Sequence, residues 1–209
     1  MIDTQTIGMP DTSIIFQIVL PEPNYSASIE ELGKNQKNIL LPTVKKEYMH
    51  KFNEKFSILL VACANSNVNK TVGIIEREFK WVQNILEQYM LDHNNVFDCE
   101  QALINFSNYQ IDCIGRFNDL IRRFEKCPPI DETLKRGEFN NLSKYCQSHE
   151  NCPRGCDLEI IAESLVAKKQ HYLIDYLVIL LTLDMLWANI APFTNNIKGF
   201  TIKNMCKRS

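Results

Sequence analysis

An α/β architecture, with helices over both faces of a central parallel sheet, is expected of this chain from three observations. Short apolar runs that suit buried strands, at residues 38–42 and 176–182, alternate with longer stretches of helical periodicity. Acidic residues sit where strands end and helices begin, the positions that converge on one edge of an open parallel sheet. With 209 residues, 45% hydrophobic and 23% charged, the chain is long enough to bury one sizeable core.

The elements follow in order. The stretch Thr6 to Pro10 is a poor strand, with few apolar residues and a proline at its end. Asp11, Thr12 and Ser13 are helix-capping residues, and the apolar run from Ile14 to Leu20 behind them ends at Pro21. Residues 21–26 read as a loop. Residues 26–32 suit a short helix, for which Ser26, Ser28 and Glu30 offer capping chemistry. After the short strand at 38–42, Thr43 is a candidate cap for a helix that carries Glu47. The run Phe56 to Cys63 fits a buried strand or one face of a helix.

From Thr71 to Met90 the residues Ile75, Phe79, Val82, Leu86 and Tyr89 recur at helical spacing. A second helix from about Glu100 to Lys126 would bury Leu103, Phe106, Phe117, Leu120, Ile121 and Phe124, and Cys127 with two prolines stops it. Phe79, Trp81 and Tyr89 are read as core residues with no binding role. Residues 131–156 read as polar and irregular. The segment from Asp157 to Lys169 is a strong helix, acidic at its start and basic at its end. The strand at 176–182 follows, with an added turn around residues 170–175, and residues 197–202 form a last short strand. One domain is expected over 1–209, with a helical insertion at about 65–126 and an irregular Cys-rich segment at about 131–156.

Composition narrows the function classes. The net charge of −2 supplies no global basic field for nonspecific nucleic-acid binding. The N-terminus lacks a basic segment followed by an apolar run, so no secretory signal is expected. The most apolar stretch, Tyr176 to Leu183, is far short of the roughly 20 residues that cross a bilayer. Eight cysteines without such a signal argue for thiols or a metal site, and for a cytoplasmic protein without membrane attachment.

Asp11, Glu47, Asp157 and Asp184 stand at element boundaries. Singly, Asp11 and Asp157 read equally as helix-start residues and Glu47 as a solvated one. Asp184 is harder to dismiss, because an acid directly after a long apolar strand must find partners or solvent at the sheet edge. Carboxylates gathered there would repel one another unless a hard divalent cation neutralised them, and Mg²⁺ or Mn²⁺ suits all-oxygen ligands.

The segments beginning at Asp11, the stretch Leu40 to Tyr48 around Glu47, the helix start at Asp157 and the strand end at Asp184 resemble, in order, the four motifs of PIN domains. The segment from Gly199 resembles that family's final strand. The likeness covers roughly residues 9–55 and 155–205. It implies a three-layer α/β/α domain and metal-dependent hydrolysis of phosphodiester bonds, usually in RNA. It further implies Asp11, Asp157 and Asp184 as the principal metal ligands, with Glu47 holding metal directly or through water. Thr12, Ser13 and Thr182 would donate hydrogen bonds to those ligands. An RNA substrate follows, while an antitoxin or other protein partner and a homo-oligomer are left open. Asp3 competes with Asp11, and Glu76 and Glu78 compete with Glu47. Two other functions stay open: a non-catalytic PIN-like scaffold that binds RNA or protein, and another Mg²⁺-dependent phosphohydrolase.

Cys146, His149, Cys152 and Cys156 offer metal-ligating atoms in one short loop, against the alternatives of free thiols or a local disulfide. Lys45, Lys46, Lys51 and Lys55, and separately Arg122, Arg123 and Lys126, could contact phosphates or simply form solvated helix faces.

Overall fold

The computed structural model describes residues 5–20, 25–79, 97–170 and 173–205. Four parallel strands are ordered β2-β1-β3-β4, where β1 is Thr6–Pro10, β2 Lys37–Asn38, β3 Leu177–Thr182 and β4 Phe200–Asn204. The helices are α1 (Thr12–Val19), α2 (Tyr25–Gly33), α3 (Pro42–Ala64), α4 (Val68–Glu78), α5 (Cys99–Arg122), α6 (Glu132–Gln147), α7 (Cys156–Lys169) and the short α8 (Ala191–Thr194). Consecutive residues of the two central strands are buried, Gly8 to Pro10 in β1 and Leu180 to Thr182 in β3, so both faces of the sheet are covered. This is the three-layer α/β/α arrangement expected.

β1 forms despite its unpromising sequence. Flanked by β2 and β3, it pairs along its whole length with β3, Thr6 opposite Leu177 through Pro10 opposite Leu181. Ile7 and Met9 are fully buried. Pro10 is tolerated as the last residue, and the next amide, Asp11 N, donates to Leu181 O at 2.9 Å. Gly8 is required by close approach: a Cβ there would lie 2.3 Å from Asn38 Oδ1 and 2.5 Å from Asn35 Nδ2.

Phe56 to Cys63 is helical, continuing α3 to Ala64. Phe52, Phe56, Leu59 and Cys63 lie on its buried face, while Ile58 and Val61 are exposed. Its aromatic residues lock α3 to its neighbours. Tyr48 meets Phe16 of α1 at 4.8 Å and Phe117 of α5 at 4.2 Å between ring centroids, and Phe56 meets Phe79 at 5.2 Å. The helices within 65–126 therefore share the core of the sheet. Trp81, Val82, Leu86, Tyr89 and Met90 lie outside the described residues.

The segment 131–156 departs from expectation. Residues 132–147 are the helix α6, and only the remainder is irregular. Asp131 caps it, accepting from Thr133 N at 2.8 Å and Leu134 N at 3.0 Å. Phe139, Leu142 and Cys146 at helical spacing form its inner stripe, too sparse among polar residues to announce itself. Thr43 is not the cap of α3. Leu41 holds that position without a side-chain bond and Pro42 opens the helix. The turn expected before β3 is present at residues 173–175. Among the described residues, no helix is long and apolar enough to cross a membrane.

Candidate functional site

At the C-terminal ends of β1 and β3 a cleft of about 450 Å³ is lined by Asp11, Glu47, Asp157 and Asp184, with Thr12, Ser13, Gln17, Lys51 and Lys55. Each acid arrives on a different element. Asp11 directly follows β1 and caps α1, accepting from Ile14 N at 3.0 Å. Asp184 follows β3 and caps the 3₁₀ segment Met185–Ile190, accepting from Leu186 N at 2.8 Å. Glu47 lies in the second turn of α3. Asp157 lies in the first turn of α7, whose cap, Gly155, takes a φ of 53° that favours glycine. Because β1 and β3 are adjacent and in parallel register, the ends that carry Asp11 and Asp184 lie side by side.

Hydrogen bonds fix the innermost acid. Asp11 is 4% exposed; its Oδ1 accepts from Ser13 Oγ at 2.6 Å and its Oδ2 from Thr182 Oγ1 at 2.6 Å. Thr182 Oγ1 in turn accepts from Asp184 N at 2.9 Å, and Ser13 Oγ from Leu183 N at 3.1 Å, so the two strand ends are cross-linked through hydroxyls. Thr12 Oγ1 donates to Glu47 Oε2, and Lys51 Nζ lies 2.6 Å from Glu47 Oε1.

Burial pushes the Asp11 carboxyl up to about 6, against the opposing bonds from Ser13, Thr182 and the Ile14 amide. Asp157 is also raised to about 6, first by burial and then by the negative charges of Asp184, Glu47 and Asp11, with Lys51 opposing. For Lys51 burial disfavours the charge, but the bond to Glu47 and the fields of Glu47 and Asp157 hold its ammonium above the usual range. The charges of the other three acids thus converge on Asp157. As placed, no three Asp, Glu, His or Cys side chains among the described residues already stand in a group able to hold an ion.

Neither Glu76 nor Glu78 lines this cleft. Glu76 is exposed, and Glu78 pairs with Lys55 at 3.1 Å and Arg77 at 2.9 Å. Asp3 lies outside the described residues. Of the basic residues, Lys51 and Lys55 line the cleft, whereas Lys45, Lys46, Arg122, Arg123 and Lys126 are exposed and do not.

A residue unmarked in the sequence supports the site from behind. Glu163, six residues after Asp157 on α7 and 2% exposed, accepts from Thr43 N at 2.9 Å and pairs with Lys135 at 3.3 Å. It completes the α3 N-terminus that Leu41 leaves without a side-chain cap. The signal was an acid inside the stretch from Ile160 to Val166, whose other residues are apolar except Ser164.

Cys146, Cys152 and Cys156 are free thiols, so the local disulfide is not formed. His149, just past α6, is engaged by the end of that helix, with Nδ1 2.7 Å from Tyr145 O and its ring stacked on Tyr145 at 4.0 Å.

No family model matches the chain. No curated protein matches it either. Among solved structures, a chain of the crystal structure of VapBC2 from Rickettsia felis bound to a DNA fragment from their promoter is similar to it. That similarity spans 95% of this chain and 98% of the other, at 14% identity and a TM-score of 0.43.

Proposed function

We propose that the chain is a metal-dependent nuclease of the PIN type that hydrolyses phosphodiester bonds in RNA. The observation that carries this reading is the meeting of Asp11, Glu47, Asp157 and Asp184, from four separate elements, in one open cleft. Such a concentration of negative charge at a sheet edge is unfavourable by itself, as the displaced acidity of Asp157 registers. The donor set fits a hard cation: all four side chains offer oxygen, and the Lys51 ammonium already stands against Glu47 as a positive group. Asp11, Asp157 and Asp184 would hold Mg²⁺ or Mn²⁺, with Glu47 as a direct or water-mediated ligand.

When bound, the ion supplies Lewis acidity toward the phosphate and a more acidic water. The chain's own residues do the rest. Ser13 and Thr182 orient the Asp11 carboxylate, and Thr12 orients that of Glu47. Lys51 and Lys55 line the same cleft and offer cationic contacts to a substrate's phosphates.

The test is cleavage of varied RNA and DNA with Mg²⁺ and Mn²⁺. Wild type should cut RNA, and Asp11→Asn or Asp184→Asn protein that remains folded should lose that activity by at least about a hundredfold. Protein inert on every substrate with both ions overturns the catalytic reading. The rival reading is a non-catalytic scaffold that binds RNA or protein. RNA binding without cleavage would select it. Turnover of small phosphate esters with no action on RNA would indicate a different phosphohydrolase.

A further inference from the structure

We infer that Lys51 is a built-in counter-ion of the acidic cleft, which a divalent cation must displace from Glu47 in order to bind. The inference rests on the metal-dependent reading above. Both oxygens of Glu47 are engaged within the protein, Oε2 by the Thr12 hydroxyl and Oε1 by the Lys51 ammonium at 2.6 Å. The Glu47 side chain is only 9% exposed and lines the cleft, whereas that of Lys51 is 50% exposed at its mouth.

These two partners of Glu47 differ in what a cation would do to them. The hydroxyl is neutral and can stay while Glu47 ligates an ion. The ammonium repels a dication at short range and must leave. The lysine side chain is half exposed while its partner is 9% exposed, so the ammonium can turn into solvent while Glu47 stays in the cleft. Its charge reaches beyond Glu47, since Lys51 and Asp157 act on one another across the cleft. While seated, the lysine offsets part of the repulsion among the acids. Once displaced, it remains at the mouth with its charge available to a phosphate. The lysine thereby sets the cation concentration at which the site fills.

Isothermal titration of MnCl₂ into wild type, Lys51→Met, Lys51→Gln, Lys51→Arg and Asp184→Asn tests this without reference to activity. Removing the positive charge in either neutral variant should tighten Mn²⁺ binding about tenfold. Lys51→Arg, which keeps the charge, should bind as wild type does. Lys51→Met and Lys51→Gln proteins, folded by circular dichroism, that bind Mn²⁺ no tighter than wild type overturn the counter-ion role while leaving the metal reading intact. Equal tightening in Lys51→Arg also overturns it, because charge would not be the cause. Wild-type binding unchanged by Asp184→Asn, or no Mn²⁺ binding by wild type and either neutral variant, overturns the metal reading itself and the counter-ion with it.

Discussion

Glu163 of α7 accepts a hydrogen bond from the backbone amide of Thr43, 2.9 Å away at the start of α3. The two helices that carry Asp157 and Glu47 are thereby tied at a point behind the cleft, and Lys135 of α6 closes the arrangement through Thr43 Oγ1 at 3.0 Å and Glu163 at 3.3 Å. Glu163→Ala would leave the Thr43 amide without its acceptor and Lys135, whose side chain is 16% exposed, without its counter-charge. The expected loss is about 3 kcal/mol of stability, read from urea unfolding. Lys135→Met should cost less, because the carboxylate keeps its bond to Thr43 N. An unfolding midpoint for Glu163→Ala equal to that of wild type would show the tie to be energetically idle.

The crowding at Asp157 has a pH signature in metal-free protein. Its folded value of about 6 lies above the ordinary value of 3.8, so between these the folded state binds more protons than the unfolded one. Stability is therefore highest below pH 4 with respect to this group and declines as pH rises through 6. Asp157→Asn removes the penalty and should stabilise the protein by about 1–2 kcal/mol at pH 7.5, and by much less at pH 4.5. Urea unfolding at both pH values checks it; equal effects at the two would contradict the assignment.

Asp11 is displaced in the same direction, to about 6, so cation binding should weaken on acidification. Under the proposed function, millimolar Mn²⁺ raises the melting temperature at pH 7.5 and raises it less at pH 5, where Asp11 and Asp157 carry protons. Thermal shifts measured with chelator and with Mn²⁺ at both pH values give the comparison. A larger shift at pH 5 would place the bound ion elsewhere.

Gly8→Ala should destabilise the edge formed by β1 and β2. The new methyl group would collide with Asn38 and Asn35 side chains that are themselves committed, to Leu32 O at 3.0 Å and Glu31 O at 3.1 Å respectively. A loss of about 1–3 kcal/mol is expected from thermal or urea unfolding. Wild-type stability in this variant would mean that both amides can yield without cost.

What the sequence determined alone is the set of elements whose own pattern decides them. The apolar run at 177–182 is a strand. The segment from Asp157 to Lys169 has its polarity and dipole-matched ends within one helix. Asp11, Asp157 and Asp184 stand at element boundaries. These features are local, a matter of periodicity and capping, and so are written in neighbouring residues. α6 escaped because its inner face is a thin stripe at Phe139, Leu142 and Cys146 in a polar background.

Tertiary structure alone decided the rest. β1 is a strand because β2 and β3 flank it, and Asp11 lies beside the strand end that leads to Asp184 because Pro10 stands opposite Leu181. Glu47 faces the cleft while Glu78 is spent on Lys55 and Arg77, a difference that helix packing makes and sequence spacing does not. The bond from Thr43 to Glu163 joins residues 120 positions apart. Strand order and helix docking depend on contacts between segments far apart in the chain. No window of adjacent residues records them, and they are what turn scattered carboxylates into one cleft.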